Sequence, residues 1–454
     1  MCDFATFEVK TEQLLRMQTR FLPLLFILFS VHGFAQNLYF PPTSGNNWDT
    51  LSPTSLGWCT DQISPLYQFL NDNDTKAFIL LKDGKIVLEK YFGTFTQDSV
   101  WYWASAGKSV TGFLVGKAQE EGYLSIQDPT SDYLGNDWTS CTPTEEDQIT
   151  VWNQLTMTSG MDDSDQADCT DDTCLHCITN PGERWAYHNA PYTLLDGVIE
   201  NATGSSLNAY FNQKLKVPTG MTGLYISIGY NNVLYSKPRS MARFGLLMLN
   251  NGIWDGTPVL DDTAYMNAMV NTSQQLNKAY GYLWWLNGKT DYMIPQSQLV
   301  LNGSMMPDAP DDMFSAIGKN GQFLNIVPNQ NLVMVRMGRE STSTNYLVPT
   351  QMNNDIWPYL DAVMCNSTAI EEQKNFENTV QVYPNPAVNS VQIQANTPIQ
   401  QVIVYSLTGK ELLRVLPAQN QTLLDVSTLP AGVYLTQVQT QNAVITQQLV
   451  ITQQ

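Results

Sequence analysis

Apolar residues follow two periods along this chain. After Ser105 the residues Val110, Phe113, Leu114 and Ala118 recur at helical spacing, so a buried helix starts at that serine. Ser240–Leu249 has the same character and stops at Asn250-Asn251-Gly252, a sequence suited to a helix C-cap. Further helices are predicted over Trp58–Leu70, Ile149–Leu155, Tyr192–Ile199, Leu207–Leu215 and Ile356–Met364. Ala77–Leu81 and Lys85–Phe92 are rich in β-formers and flank Asp83-Gly84, which predicts a hairpin. Strands are also predicted at Tyr282–Leu286, Gln322–Val327 and Leu332–Met337. Strands thus lie near both ends of residues 58–365 and helices fill the middle. That order predicts an α+β domain with a mainly antiparallel sheet, flanking helices and a helical subdomain.

The pattern changes at both ends. Phe21–Phe29 is an apolar run behind Arg20, and Gly33-Phe34-Ala35 supplies small residues for cleavage, so residues 1–36 read as a signal peptide. The stretch before it is long for a basic region, which makes Met17 a candidate start. The run is too short for a membrane span. Residues 37–57 are an extended lead-in rich in Asn, Pro, Ser and Thr, and the polar residues 366–379 are a linker. Residues 380–454 form short, evenly spaced strands at Val391–Ile393, Val402–Tyr405, Leu412–Leu416, Gly432–Val438 and Ala443–Ile451, which predicts a small β-sandwich.

Composition narrows the partners. The chain has 454 residues, with 23 Lys+Arg against 42 Asp+Glu and a net charge of -19, which argues against nucleic acid. Beyond the signal peptide six cysteines remain: Cys59, Cys141, Cys169, Cys174, Cys177 and Cys365. Export favours disulfides over a zinc cluster at Cys169, Cys174 and Cys177, and Cys59 is expected to pair with Cys365 across the large domain. Neither a metal nor another cofactor is implied.

The candidate chemistry centres on Ser105. Lys108 lies one helical turn along on the same face. A serine hydroxyl needs a base to take its proton, and a lysine serves if burial keeps it neutral. Two histidines, His176 and His188, lie outside the signal peptide, and no Gly-x-Ser-x-Gly elbow exists, so a histidine-driven hydrolase is the poorer fit. Tyr187-His188-Asn189, after a Pro-Gly turn, supplies a phenol for proton transfer and an amide for a substrate carbonyl. Tyr210-Phe211-Asn212 and Tyr230-Asn231-Asn232 share that pattern. Gly318–Gln322 opens a strand where glycine lets a ligand approach, and the backbone N–H groups of Ser105 and Gln322 are candidate oxyanion donors. Lys319 adds positive potential for a substrate carboxylate.

Ser105-x-x-Lys108, Tyr187-x-Asn189 and Lys319-x-Gly321, in that order, resemble the serine β-lactamase and penicillin-binding superfamily. The tyrosine is similar to the branch holding class C β-lactamases, D-alanyl-D-alanine carboxypeptidases, esterases and 6-aminohexanoate-dimer hydrolases. Thr156–Met161, Met241–Leu247 and Gly321–Pro328 also resemble that branch. The resemblance implies an acyl-enzyme on Ser105, with Lys108 and Tyr187 as general base and acid. It implies substrate contacts from Asn189, Lys319, Gly321 and Gln322. Asn320 departs from the family pattern, which usually has a hydroxyl residue there. The tail, through Tyr383–Ala387, Val404–Gly409 and Leu424–Leu435, resembles the C-terminal sorting domain of type IX secretion. That resemblance implies export to the cell surface or beyond, with the secretion machinery as partner. The expected function is a secreted serine hydrolase acting on a small ester or amide. The alternative is a non-catalytic receptor or adhesin on the same fold, with the acidic, cysteine-bearing loop 161–182 reshaping the pocket.

Overall fold

The computed structural model describes residues 38–164, 168–341, 349–365, 380–407, 409–440 and 444–452. The expected signal peptide and the expected linker lie outside the described residues. Helix α1 (Ile63–Asp72) leads into the hairpin of β1 (Thr75–Lys82) and β2 (Lys85–Tyr91). Its turn holds Asp83 at φ 52° and Gly84 at φ 81°, left-handed conformations that Asp-Gly tolerates. Strand β3 (Trp101–Tyr102) comes next and α2 (Lys108–Glu120) follows. The middle contains α3 (Asn189–Thr193), α4 (Leu195–Thr203), a hairpin of β4 (Leu224–Ile228) and β5 (Asn231–Ser236), and α5 (Pro238–Leu249). The chain returns through β6 (Trp285–Leu286), β7 (Phe314–Gly318), β8 (Gln322–Val327), β9 (Leu332–Gly338) and α6 (Pro349–Met364).

The main sheet has the order β2-β1-β9-β8-β7-β6 and is antiparallel throughout. Every residue of β8 and β9 is buried, so both faces of the sheet are covered. Helix α5 lies against β1, β8 and β9. Gly245 permits this approach, because a Cβ there would stand 2.5 Å from Val333 Cγ1. Helices α1 and α6 pack together, with the rings of Phe69 and Tyr359 stacked at 4.5 Å. The expected disulfide between Cys59 and Cys365 closes this layer.

Three differences from the sequence pattern matter. The helix expected to start at Ser105 starts at Lys108; Ser105 occupies a 3-10 turn, Ala104–Gly107, in front of it. The strand expected over Tyr282–Leu286 shrinks to Trp285–Leu286, because Leu283 turns to φ 61° and breaks it. Strand β7 has no counterpart among the predicted strands. Its sequence, Phe-Ser-Ala-Ile-Gly, neither alternates nor runs apolar, and its full burial comes from its neighbours in the sheet.

The tail has its own core, including Val391, Ile393, Val402, Val404 and Leu449. Its strands are β10 (Val380–Tyr383), β11 (Ser390–Tyr405), β12 (Glu411–Val415), β13 (Gln419–Asp425), β14 (Gly432–Thr440) and β15 (Val444–Ile451). Two of the short strands expected there are one 16-residue strand, β11. It pairs with β10, β12, β13 and β14, and its register shifts between Gln394 and Ile399. The all-β character holds, in the form of one curled sheet. Among the described residues no helix is long and apolar enough to cross a membrane.

Candidate active site

The turn bearing Ser105 is held from behind. Trp103 is fully buried; its backbone N–H donates to Leu234 O at 2.8 Å and its indole N–H to Ser236 Oγ at 2.7 Å. Ala104 sits at φ 47°, a left-handed conformation that costs an alanine about 1 kcal/mol. Ser105 then emerges at the edge of a cleft of about 430 Å³.

Lys108 follows on the first turn of α2 and is 4 % exposed. Its Nζ donates to Ser105 Oγ at 3.2 Å. The same nitrogen stands 4.1 Å from the centre of the Tyr192 ring and 5.3 Å from that of Tyr187. Burial brings its pKa down from 10.5 to about 7, against the opposing pull of Asp168 and Asp196. An amine beside the serine is therefore available as a base near neutral pH.

Tyr187 lines the same cleft with Ser105, whose side chain acts to lower the phenol's pKa. Burial raises its pKa well above the usual phenol value, only partly offset by Ser105, so it is a neutral O–H at pH 7. Its ring stacks on Trp285 at 5.6 Å, and Tyr280 meets Trp285 edge-on at 4.9 Å. His188, next in sequence, is 3 % exposed; burial takes its pKa down to about 4, and it makes no bond to Ser105 among the described residues.

Asn189 also lines the cleft, but its amide is engaged: Nδ2 donates to Asp168 Oδ1 at 2.6 Å. Asp168 belongs to the acidic loop, which borders the cleft with Asp163. Disulfides Cys169–Cys174 and Cys141–Cys177 tie that loop down, and Asp163 accepts from Arg184 Nη2 at 2.5 Å. The sulfurs weighed as zinc ligands are thus consumed in disulfides.

The third sequence motif divides. Lys319 lines the cleft, together with Ile317 and Gly318 of β7. Gly321 and Gln322 are not among its lining residues, for a visible reason. The Gln322 side chain is fully buried within the sheet, where it donates to Gly338 O at 2.7 Å and accepts from Gly338 N at 3.0 Å. Gly321, at φ 73°, forms the turn and presses on Arg336, whose guanidinium donates to its carbonyl at 2.5 Å. Asn320 turns to Tyr102, donating to its hydroxyl at 2.8 Å. The backbone that meets the Ser105 turn is instead Gly318. A Cβ there would lie 2.3 Å from Trp103 O and 3.0 Å from Ala106 N. Sequence reasoning placed Gly318 at the head of the third motif without giving it this contact, and passed over Asp168 and Trp285 as site residues. That glycine was read as opening a strand where a ligand can approach, whereas it ends β7.

Gly318→Ala tests that contact. The methyl has no room without moving the Ser105 turn away from β7, at a cost of about 1–3 kcal/mol. We expect a folded protein with an acylation rate at least about tenfold lower, measured with an activated ester alongside thermal melting.

The described geometry brings Ser105, Lys108 and Tyr187 together at one cleft on a mixed helix and antiparallel-sheet fold. Residues 74–348, more than half of the chain, match the beta-lactamase family, and the chain belongs to it. Residues 381–452 match the secretion system C-terminal sorting domain. An uncharacterized protein of Alkalihalophilus pseudofirmus is 24% identical over 304 residues, covering 59% of this chain and 84% of its own. The 6-aminohexanoate-dimer hydrolase of Paenarthrobacter ureafaciens is 22% identical over 316 residues, covering 61% of this chain and 75% of its own. A solved structure from Bacillus anthracis, assigned as a 6-aminohexanoate-dimer hydrolase, shares the fold with a TM-score of 0.53 and 20% identity, over 72% of this chain and 89% of its own.

Proposed function

We propose that this chain is a secreted serine hydrolase that cleaves a small ester or amide through an acyl-enzyme on Ser105. The observation that carries the reading is the buried Lys108 amine, 3.2 Å from Ser105 Oγ with a pKa brought down to about 7. Ser105 Oγ attacks the substrate carbonyl carbon and its proton passes to Lys108. Tyr187, a neutral phenol lining the cleft with Ser105, relays that proton to the departing alcohol or amine as the C–O or C–N bond breaks. Water then attacks the ester on Ser105 by the reverse route, releasing the acid and restoring the serine.

The oxyanion forms between the Ser105 backbone N–H and the Gly318–Lys319 backbone, which takes over the role expected of Gln322. Lys319 offers its charge to a substrate carboxylate. Asn189 positions substrate only as its bond to Asp168 allows. Trp285, Ile294, Pro295 and Ile317 line the cleft with apolar surface suited to the carbon skeleton of the acyl group. Export follows from the signal peptide and the sorting domain, whose work ends once the protein is outside.

A fluorophosphonate probe tests the reading. The expected result is one adduct by intact mass, mapped to Ser105 by peptide analysis. A panel of a short-chain ester, a D-amino-acid peptide, a β-lactam and a linear amide oligomer then assigns the substrate. Binding without any covalent adduct would replace this reading with the receptor alternative.

A further inference from the structure

A carboxylate not used in the mechanism lies beneath the catalytic lysine. Asp196, on α4, is 4 % exposed. Its Oδ2 accepts from Asn232 Nδ2 at 2.9 Å, and its Oδ1 is enclosed without a hydrogen-bond partner among the described residues. A buried carboxylate with one short donor is expensive unless a positive charge is near. The cation whose charge Asp196 feels is Lys108. Helix α2 packs on α4, and the lysine nitrogen rests 4.1 Å from the ring centre of Tyr192, one helical turn before Asp196. Among the described residues Lys108 itself donates to one hydrogen-bond acceptor, Ser105, and makes no salt bridge within ordinary contact distance. We propose that Asp196 is a positioning residue of the active site: its carboxylate, through the Tyr192 layer, holds the proton that Lys108 takes from Ser105 by stabilising the lysine ammonium.

The inference rests on the hydrolase reading for its catalytic meaning and on the packing of α2 and α4 for its physical content. The attraction is mutual: the carboxylate favours charged Lys108, and the ammonium favours ionised Asp196. Burial, the largest influence, brings Asp196 up to about 7, so the two groups exchange charge over the same pH range. The other groups facing the pair are few. Glu200, on the same helix, pushes Asp196 up and the Asn232 amide pulls it down. Tyr192 and Tyr225 both feel the Asp196 charge, with Thr111 Oγ1 3.3 Å from the Tyr225 hydroxyl. On the cleft side, Asp168 also favours charged Lys108, and the Tyr187 ring lies beside the amine. Asp196 acts in its ionised form and takes no proton from Ser105 itself. The proton leaves Ser105, rests on Lys108 and departs with the leaving group.

The test uses the full chain and Asp196→Asn, with Asn232→Ala as a second variant that leaves the carboxylate in place. Fluorophosphonate inactivation rates from pH 5 to pH 9 give the acid limb set by Lys108. Loss of the carboxylate removes a stabiliser of the ammonium, so in Asp196→Asn the limb moves to lower pH, by about one unit. Loss of the Asn232 donor raises Asp196 and moves the limb the same way by less. An acid limb unchanged in Asp196→Asn overturns the inference. Thermal melts of Asp196→Asn, Lys108→Met and the double variant provide a readout independent of chemistry. They should show coupling at pH 7 that fades at pH 4, where the carboxyl is neutral in every form. Additive melts at pH 7 overturn the inference even if the probe labels Ser105. If the probe labels nothing while the melts are coupled, the pair stands and the hydrolase reading falls.

Discussion

Lys108→Met lowers the rate of Ser105 acylation by about a thousandfold, the weight of a well-placed general base. The loss appears in kcat/KM for any ester or amide the protein accepts, because proton removal from Ser105 belongs to the first chemical step. Methionine fills the volume of the lysine stem, so the fold survives the change. Stability moves the other way from activity. Burial lowers Lys108 from 10.5 to about 7 in the folded protein. Between those values the unfolded chain holds a proton that the folded chain does not, so wild-type stability falls as pH drops from about 10.5 to about 7. The methionine variant has no such dependence. Its melting temperature relative to wild type therefore rises as pH is lowered from 10 to 7, and levels off below. A variant that is equally stable relative to wild type at pH 10 and pH 6 would show that Lys108 is solvated rather than buried. A variant that retains wild-type acylation would show that another group is the base.

This pairing of lost activity with gained stability is what a functional lysine should show. A structural lysine at the same place would stabilise the fold and do nothing for acylation. The site as a whole departs from the stable optimum in the same manner: Ala104 is left-handed, Lys108 is a buried amine and Asp196 is a buried acid.

Some of this was legible in the sequence and some was not. Ser105 and Lys108 need only local geometry, since three residues on a helical turn bring their side chains together. Tyr187 was found by order along the chain, and its ring and hydroxyl do reach the cleft. The hairpin of β1 and β2, the α5 helix and the pair β8 and β9 followed from strong periodicity and clear turn residues. Strand β7 did not, because its five residues neither alternate nor run apolar and owe their burial to β8, β6 and the Ser105 turn packed around them. With β7 unseen, the oxyanion backbone was assigned one strand too far along, to Gln322. The Gln322 side chain is no help to a substrate either, since it spends its amide on Gly338. Asp196 left a readable trace, an acid among Leu194, Leu195, Val198 and Ile199 on one helix. Only the three-dimensional packing of α2 on α4 suggests Lys108 as the charge it answers, which is the proposal made above. Asp168 was legible only as part of an acidic loop, and its bond to Asn189 depends on the disulfides that fold that loop back.

Removal of the Cys59–Cys365 disulfide, by alanine at both positions, is the largest stability loss we expect. The bridge closes a loop of sequence separation 306, and confining so long a loop in the unfolded chain is worth about 5 kcal/mol. That corresponds to a fall of roughly 10 °C in melting temperature for a domain of this size. The native neighbourhood needs little adjustment without the bond, because the Cys59 backbone N–H also donates to Val363 O at 2.8 Å and α1 still packs on α6. Acylation at 25 °C should therefore remain near wild type: Ser105, Lys108 and Tyr187 belong to elements that this bridge does not touch. The Cys169–Cys174 bridge makes the opposite prediction. Its sequence separation is 5, so its loss costs the fold about 2 kcal/mol or less. It does free the segment that carries Asp168 and, through it, the Asn189 amide, so KM shifts while melting barely does. Thermal melts and acylation rates on the two double-alanine variants, run side by side, separate these roles. If the short bridge proves the more important to melting, the stabilisation comes from native contacts in the acidic loop rather than from loop closure. The order expected here, a long bridge for the fold and a short one for the cleft, would then be reversed.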